Sequence, residues 1–103
     1  MGLLSWGNSP EIILALDIGT EVVKALVFRV DAAENRGVVI GVGKVHQKPG
    51  NMQSGAVADI TGVIESSRQA IDIAMTNAKV KKIGKSIIGI AGELVKGTTT
   101  TVH

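Results

Sequence analysis

Two apolar runs joined by a very short turn constrain the fold of this chain most. The first run covers residues 11–17 and ends at Asp17, and the second covers residues 22–30. Between them lie Gly19 and Thr20, which are common turn residues. Apolar runs this close in sequence predict an antiparallel strand pair at the start of a sheet. Because the first run does not alternate with polar residues, it also predicts a strand buried on both faces.

Asp17 is the candidate binding residue of this arrangement. A carboxylate at the end of a strand is presented at the rim of a sheet, and a hard cation such as Mg²⁺ prefers oxygen ligands. Gly19 would let the backbone approach a ligand closely, so that neighbouring N–H groups face phosphate oxygens. We therefore predict a metal–phosphate site here. The alternative is a plain hairpin turn without a ligand.

Lys24 favours the phosphate interpretation. On an extended strand it shares a face with Val22 and Leu26. A lysine within an apolar strand is costly unless its ammonium group reaches water or an anion. Phosphate would be a suitable anion, and the alternative is a strand-edge lysine that reaches solvent along its own apolar stem.

The composition fits one small α/β domain. A chain of 103 residues is long enough for a single core, and 45% of the residues are hydrophobic but only 2% are aromatic. A core of Val, Ile, Leu and Ala is typical of sheets flanked by helices. The net charge of +2, without a basic stripe interleaved with aromatic residues, argues against nucleic acid as a partner. The absence of cysteine excludes a disulfide framework and a zinc–thiolate site, and fits a reducing cytosol.

Outside the first two strands, residues 1–78 predict a leader, a third strand, a loop and a helix. Residues 1–10 are predicted to be a flexible leader without the features of a signal peptide, and no segment is long enough to cross a bilayer. Residues 38–47 predict a third strand, which completes a meander, and residues 48–55 predict a loop. Asp59 is a good N-cap for the helix that follows. The predicted apolar stripe of that helix consists of Ile60, Val63, Ile64, Ser67, Ile71, Ala74, Met75 and Ala78.

The last residues predict a further strand pair. The lysines of residues 79–85 indicate a solvated helix terminus more than an anion site. Residues 86–91 predict a fourth strand and residues 94–102 predict a fifth. Because residues 98–101 favour a strand but have no apolar face, they predict an uncovered sheet edge. We therefore expect the chain to be the N-terminal part of a longer protein.

Five short motifs carry a resemblance to a known family. Residues 16–20 resemble the first phosphate motif of the actin-like ATPase superfamily, and the other four are most similar to the FtsA cell-division proteins. Those four lie in the third strand, before and within the helix, and in the fourth strand: Ile40–Gly43, Gly55–Asp59, Gln69–Ala74 and Ile88–Gly92.

This resemblance implies an architecture. Residues 11–84 would form the N-terminal subdomain of an actin-like (ribonuclease H-like) α/β ATPase, with a three-strand meander, an amphipathic helix and a further strand pair. Residues 85–103 would begin the inserted subdomain that is specific to FtsA. Both the fold and the nucleotide cleft would be incomplete in this chain, because the second phosphate motif and the adenosine motif lie farther along in that superfamily.

The resemblance also implies ATP and Mg²⁺ as cofactors. Asp17 would hold Mg²⁺ through water, and Gly19, Thr20 and Glu21 would place backbone groups around the β- and γ-phosphates. Lys24 would complete the binding residues, although FtsA proteins carry their basic residue where Val22 stands. No catalytic residue is assigned. The full-length protein would bind and slowly hydrolyse ATP, and this chain alone would not be active.

The partners implied are those of FtsA. That family links the FtsZ ring to the cytoplasmic membrane, contacts FtsZ and other divisome proteins, and associates with itself into filaments. Its location is cytoplasmic and peripheral at the inner face of the membrane, through a C-terminal helix that this chain does not contain. Because Lys24 resembles the basic residue of PilM, a PilM-like protein of type IV pilus assembly is an alternative. A sugar-kinase-type phosphotransferase and a strand-rich interaction module without a nucleotide are the others.

Overall fold

The computed structural model describes residues 11–90 and the backbone of residues 100–102. The predicted leader, residues 1–10, lies outside the described residues, as do residues 91–99. The elements in chain order are β1 (Ile12–Ile18), β2 (Val22–Asp31), β3 (Arg36–His46), β4 (Met52–Gln53), β5 (Ala56–Val57), α1 (Ile60–Ala78), β6 (Lys85–Ile90) and β7 (Thr100–Val102).

The long strands form one mixed sheet. Its order is β3-β2-β1-β6-β7, with antiparallel pairs β1–β2, β2–β3 and β6–β7 and a parallel pair β1–β6. The predicted meander of three antiparallel strands is confirmed. A parallel neighbour for β1 requires a crossover connection, and α1 lies on that connection. The described residues thus form a small α/β domain with a mixed sheet.

Helix α1 packs very closely on β2 and β3 because both surfaces carry small residues. A Cβ atom at Gly43 would overlap the carbonyl oxygen of Ala70, and one at Gly41 would overlap that of Ala74. Ala70 and Ala74 are fully buried. The glycines of β3 therefore let the helix backbone rest almost directly on the strand.

This close packing shifts the buried stripe of α1 from the predicted one. Ile60 and Ile64 were expected in the core but are 68% and 52% exposed. Ile64 instead lines an apolar groove of about 380 Å³ beside the helix, together with Leu16 and Ile18. The helix turns the face with its small residues toward the sheet, because only small residues fit against the glycines of β3. Its buried residues are Val63, Ser66, Ser67, Ala70 and Ala74.

Both ends of α1 are capped by side-chain or backbone groups. The carboxylate of Asp59 accepts a hydrogen bond from the Gly62 N–H at 3.1 Å, which confirms the predicted N-cap. At the other end Lys79 adopts a left-handed backbone, with φ of 59°, and its N–H donates to the carbonyls of Met75 and Thr76. Lys79 ends the helix through its backbone, and no basic residue lies in the last helical turn.

Strand β1 is buried on one face, not on both. Leu14, Leu16 and Ile18 point into the core under α1, whereas Ile13 and Ala15 on the other face are only half-buried. The prediction of two buried faces was wrong for the described residues, since α1 covers one side of the sheet. On the second face, apolar residues lie opposite each other across β1 and β2: Ile13 is paired with Phe28, and Ala15 with Leu26.

A small hairpin begins in the predicted loop of residues 48–55 and ends just after it. Strands β4 and β5 pair antiparallel, and Ser54 and Gly55 between them both have positive φ, 50° and 82°. Two such residues in a two-residue loop are typical of a type I′ turn. Met52 of β4 is buried. The hairpin ends at Val57, just before Asp59, the N-cap residue of α1.

The end of the described chain stays within the same sheet. Strand β6 pairs with β1 over six positions, from Ile13–Lys85 to Ile18–Ile90. The predicted boundary at residue 85 therefore falls at the start of a strand of this sheet, and the assignment of residues 85–103 to an inserted subdomain stays a prediction. The fifth strand, expected over 94–102, is present as β7 in its described part. Among the described residues, no helix combines the length and the apolar character needed to cross a membrane.

Candidate functional site

Asp17 and Lys24 lie directly opposite each other on neighbouring strands. Asp17 of β1 pairs with Lys24 of β2, and Lys24 pairs in turn with Lys44 of β3. Directly opposed residues share one face of a sheet. All three side chains are exposed, and they lie on the face away from α1, since Leu16 and Ile18 on either side of Asp17 are buried. The sheet thus presents a row of one carboxylate and two ammonium groups.

Lys44 is the member of this row that the sequence did not single out. It stands nine positions after the end of the β2–β3 connection, and only the register of the meander places it beside Lys24. The bulge in this pairing, between Val27 and Phe28, shifts the register, so counting back from the turn misplaces it. Two opposed like charges are unfavourable. An anion between the two lysines would remove that repulsion.

None of the three row residues forms an ion pair within 4 Å with another described residue. In the described part of the chain the ion pair is Lys85 with Glu11, at 3.3 Å between Nζ and Oε2 and well away from the row. Asp17 and Lys24 therefore keep their charged groups free for other ligands. The row therefore offers one carboxylate to a cation and two ammonium groups to an anion.

The turn after Asp17 is closed by a hydrogen bond within the hairpin. The Gly19 N–H donates to the Val22 carbonyl at 3.0 Å. A Cβ atom at Gly19 would come within 2.8 Å of that same oxygen. The prediction explained this glycine by the approach of a ligand. In the structure, the close approach that requires glycine is to the carbonyl of Val22.

Thr20 and Glu21 form the tip of the turn. The Thr20 Oγ1 atom is buried and has no hydrogen-bond partner among the described residues. The Glu21 side chain is exposed, and its carbonyl accepts a hydrogen bond from the Gln47 N–H at 2.8 Å. The structure thus brings together all five predicted binding residues, Asp17, Gly19, Thr20, Glu21 and Lys24, at one hairpin.

Gln47 is a second residue that the sequence did not identify. Its side-chain Nε2 donates to the Gly19 carbonyl at 3.2 Å, across 28 positions of the chain. No spacing rule pairs two residues so far apart. Its position immediately after β3 was the available signal, because the meander returns β3 to the end of the sheet where the β1–β2 turn lies.

The residues of this rim fit a magnesium–phosphate ligand. Mg²⁺ keeps several of its waters and binds proteins through one or two carboxylates together with substrate phosphates. Among residues 11–90 no three His, Cys, Asp or Glu side chains come together as a metal cluster. Asp17 is a single exposed carboxylate, and Lys24 beside it is a point charge suited to phosphate. The orphan hydroxyl of Thr20 adds an unsatisfied polar atom at the same turn.

The chain is similar in sequence to a cell-division protein. It is 36% identical over 89 residues to the cell division protein FtsA of Pseudomonas aeruginosa, and the match covers 86% of this chain. The chain spans 20% of the length of that relative. No protein-family model matches the chain. The similarity identifies an FtsA-like region, and it does not support the PilM-like or the sugar-kinase alternative.

Proposed function

We propose that this chain is part of an FtsA-like protein of bacterial cell division and that its β1–β2 hairpin is one wall of an ATP site. The observation that carries the proposal is the pairing of Asp17 with Lys24 on the exposed face of the sheet. A carboxylate and an ammonium group at one rim provide for Mg²⁺ and for phosphate at the same time. The similarity to FtsA over most of the chain supports the same assignment.

Each of the five predicted residues would have its own role in binding Mg-ATP. Asp17 would hold Mg²⁺ through water, and Lys24 would contact the phosphates. Thr20 and Glu21 would place backbone groups toward the β- and γ-phosphates, with the Thr20 hydroxyl at the same turn. Gly19, whose N–H is bonded to the Val22 carbonyl, would shape the turn. Bound Mg²⁺ would neutralise phosphate charge, which is the chief electrostatic contribution of such an ion to phosphoryl transfer.

The biological role proposed for the full-length protein follows the resemblance to FtsA. It would link the FtsZ ring to the cytoplasmic membrane, contact FtsZ and other divisome proteins, and associate with itself into filaments. It would be cytoplasmic and peripheral at the inner face of the membrane, through a C-terminal helix outside this chain. The hairpin described here would contribute to these functions through the nucleotide.

The test is Mg-ATP binding by the full-length protein, measured by isothermal titration calorimetry. Asp17→Asn should weaken binding at least about tenfold in Mg²⁺ buffer, equivalent to about 1.4 kcal/mol. With EDTA in place of Mg²⁺ the same substitution should have little effect, because Asp17 acts through the cation. Asp72→Asn is the matched control, since Asp72 is an exposed carboxylate on α1. Equal affinity of wild type and Asp17→Asn in Mg²⁺ would show that Asp17 only forms the turn.

A further inference from the structure

Gln47 holds the β1–β2 turn with two hydrogen bonds. Its backbone N–H donates to the Glu21 carbonyl at 2.8 Å, and its side-chain Nε2 donates to the Gly19 carbonyl at 3.2 Å. The two acceptors flank Thr20, the residue at the tip of the turn. Gln47, just after the end of β3, thus holds the residues on both sides of Thr20, in the segment that is proposed to face the phosphates.

Asn51 holds the other end of the Gln47 amide. Asn51 Nδ2 donates to Gln47 Oε1 at 2.9 Å. If the Gln47 amide were reversed, two NH₂ groups would face each other at Asn51 and two oxygens would face each other at Gly19. Only the observed orientation satisfies both ends. The Gly19 carbonyl can only accept, so Gln47 turns its NH₂ group toward it, and Asn51 holds the remaining Gln47 oxygen.

Asn51 packs against the first turns of α1. Its side chain is 3% exposed, and Nδ2 lies 3.4 Å from the hydroxyl of Ser66, which is also buried. Gly62 leaves room for it, because a Cβ atom there would overlap Asn51 Oδ1. The Asn51 carbonyl accepts the N–H groups of Ala58 and Asp59 at 2.8 and 3.0 Å. A buried and satisfied polar network of this kind is rigid.

We propose that Gln47 and Asn51 are positioning residues that lock the phosphate turn to helix α1. The relay runs from Ser66 through Asn51 and Gln47 to the Gly19 carbonyl, and neither positioning residue contacts the nucleotide. The proposal rests on the proposed ATP site. Without the relay the turn keeps only its own hairpin bond, so more conformational freedom is lost when phosphate binds, and affinity falls.

The first experiment measures the turn without nucleotide. In Gln47→Met the side chain keeps its length and loses both hydrogen-bonding groups. Amide hydrogen exchange at Gly19 and at position 47, whose N–H groups are bonded to Val22 and Glu21, should become about fivefold faster. Exchange at Val30, bonded to Glu11 at the far end of the same strand pair, and the melting temperature should change little. Gln53→Met is the matched control, because Gln53 is exposed on β4. Unchanged exchange at Gly19 and Gln47 would overturn the relay.

The second experiment measures Mg-ATP binding by the same full-length variants. Gln47→Met should weaken binding by about threefold to tenfold both with and without Mg²⁺, because it acts on the turn and not through the cation. Asp17→Asn, by contrast, should act only with Mg²⁺. Faster exchange with unchanged ATP affinity, while Asp17→Asn still weakens binding, would overturn the positioning role and leave the ATP site in place.

Two further outcomes separate the two proposals. Loss of the Asp17 effect or absence of Mg-ATP binding in the wild type would refute the ATP site, and the positioning role with it. If Gln47→Met does not fold, Gln47→Glu replaces it in the exchange experiment. The glutamate still accepts from Asn51 but offers no donor to the Gly19 carbonyl, so the exchange at Gly19 must again be faster if the relay holds.

Discussion

At the scale of single residues, Lys24 is the most informative position. It lies opposite Asp17 on one side and Lys44 on the other, so its ammonium group has an opposite charge and a like charge as neighbours. The sequence suggested either a phosphate ligand or a lysine that merely reaches solvent. The exposure of Lys24 agrees with both, and its juxtaposition with Lys44 favours an anion, because two opposed lysines repel each other.

Lys24→Met separates these two interpretations. If Lys24 binds phosphate, the substitution should weaken Mg-ATP binding by the full-length protein about tenfold, as loss of one charged hydrogen bond does. The unfolding free energy should change by less than about 0.5 kcal/mol, since the lost attraction to Asp17 offsets the removed repulsion from Lys44. Calorimetry and thermal melting measure the two effects.

Lys82→Met is the control for Lys24→Met, because Lys82 is an exposed lysine beyond the end of α1. It removes the same charge at a distance from the row. If both substitutions weaken ATP binding equally, the effect is one of net charge, and the assignment of Lys24 as a phosphate ligand is wrong.

At the scale of elements, the contact of α1 with β3 decides which residues form the core. The apolar stripe in the sequence put Ile60 and Ile64 inside, whereas the structure buries Ala70 and Ala74 against Gly41 and Gly43. Hydrophobic periodicity identified the helix and its cap correctly. It did not identify the rotation of the helix, because that depends on the glycines of another strand.

Gly43→Ala tests this contact. The added methyl group would overlap the Ala70 carbonyl, so the helix backbone must move, and we expect the unfolding free energy to fall by about 3 kcal/mol. Urea unfolding followed by circular dichroism measures it. Gly89→Ala is the matched control, since a Cβ atom at Gly89 meets nothing within 4 Å. Equal stability of the two variants would mean that α1 does not rest on β3 in this way.

At the scale of the whole molecule, the parallel pair of β1 and β6 makes one sheet of residues that lie far apart in the chain. Asp17, in β1, therefore has Lys24 on one side and Gly89 of β6 on the other. The strand that carries the candidate site is a central strand, and its position depends on a strand more than sixty residues later. The predicted boundary after residue 84 separates these two partners.

A chain that ends at residue 84 tests the importance of this pairing. Without β6 the backbone groups on one side of β1 are unpaired, and Leu16 and Ile18 lose the cover of Ile88, which packs on the core. We expect a lower melting temperature than for the 103-residue chain, and self-association through the free edge in size-exclusion chromatography. A chain that ends at residue 90 is the control. If the 84-residue chain is monomeric and melts like the longer one, β6 belongs to a separate unit.

Local sequence patterns were enough to predict the first three strands, the Asp59 cap, helix α1, and the hairpin that carries Asp17 and Lys24. These follow from periodicity and turn chemistry, which act over a few residues. Four features became visible only in the folded chain: the rotation of α1, the hairpin of β4 and β5, the place of Lys44 beside Lys24, and the contact of Gln47 with the Gly19 carbonyl. Each of these depends on strand register and on groups that meet across tens of residues, where packing space and hydrogen-bond partners outweigh local preference.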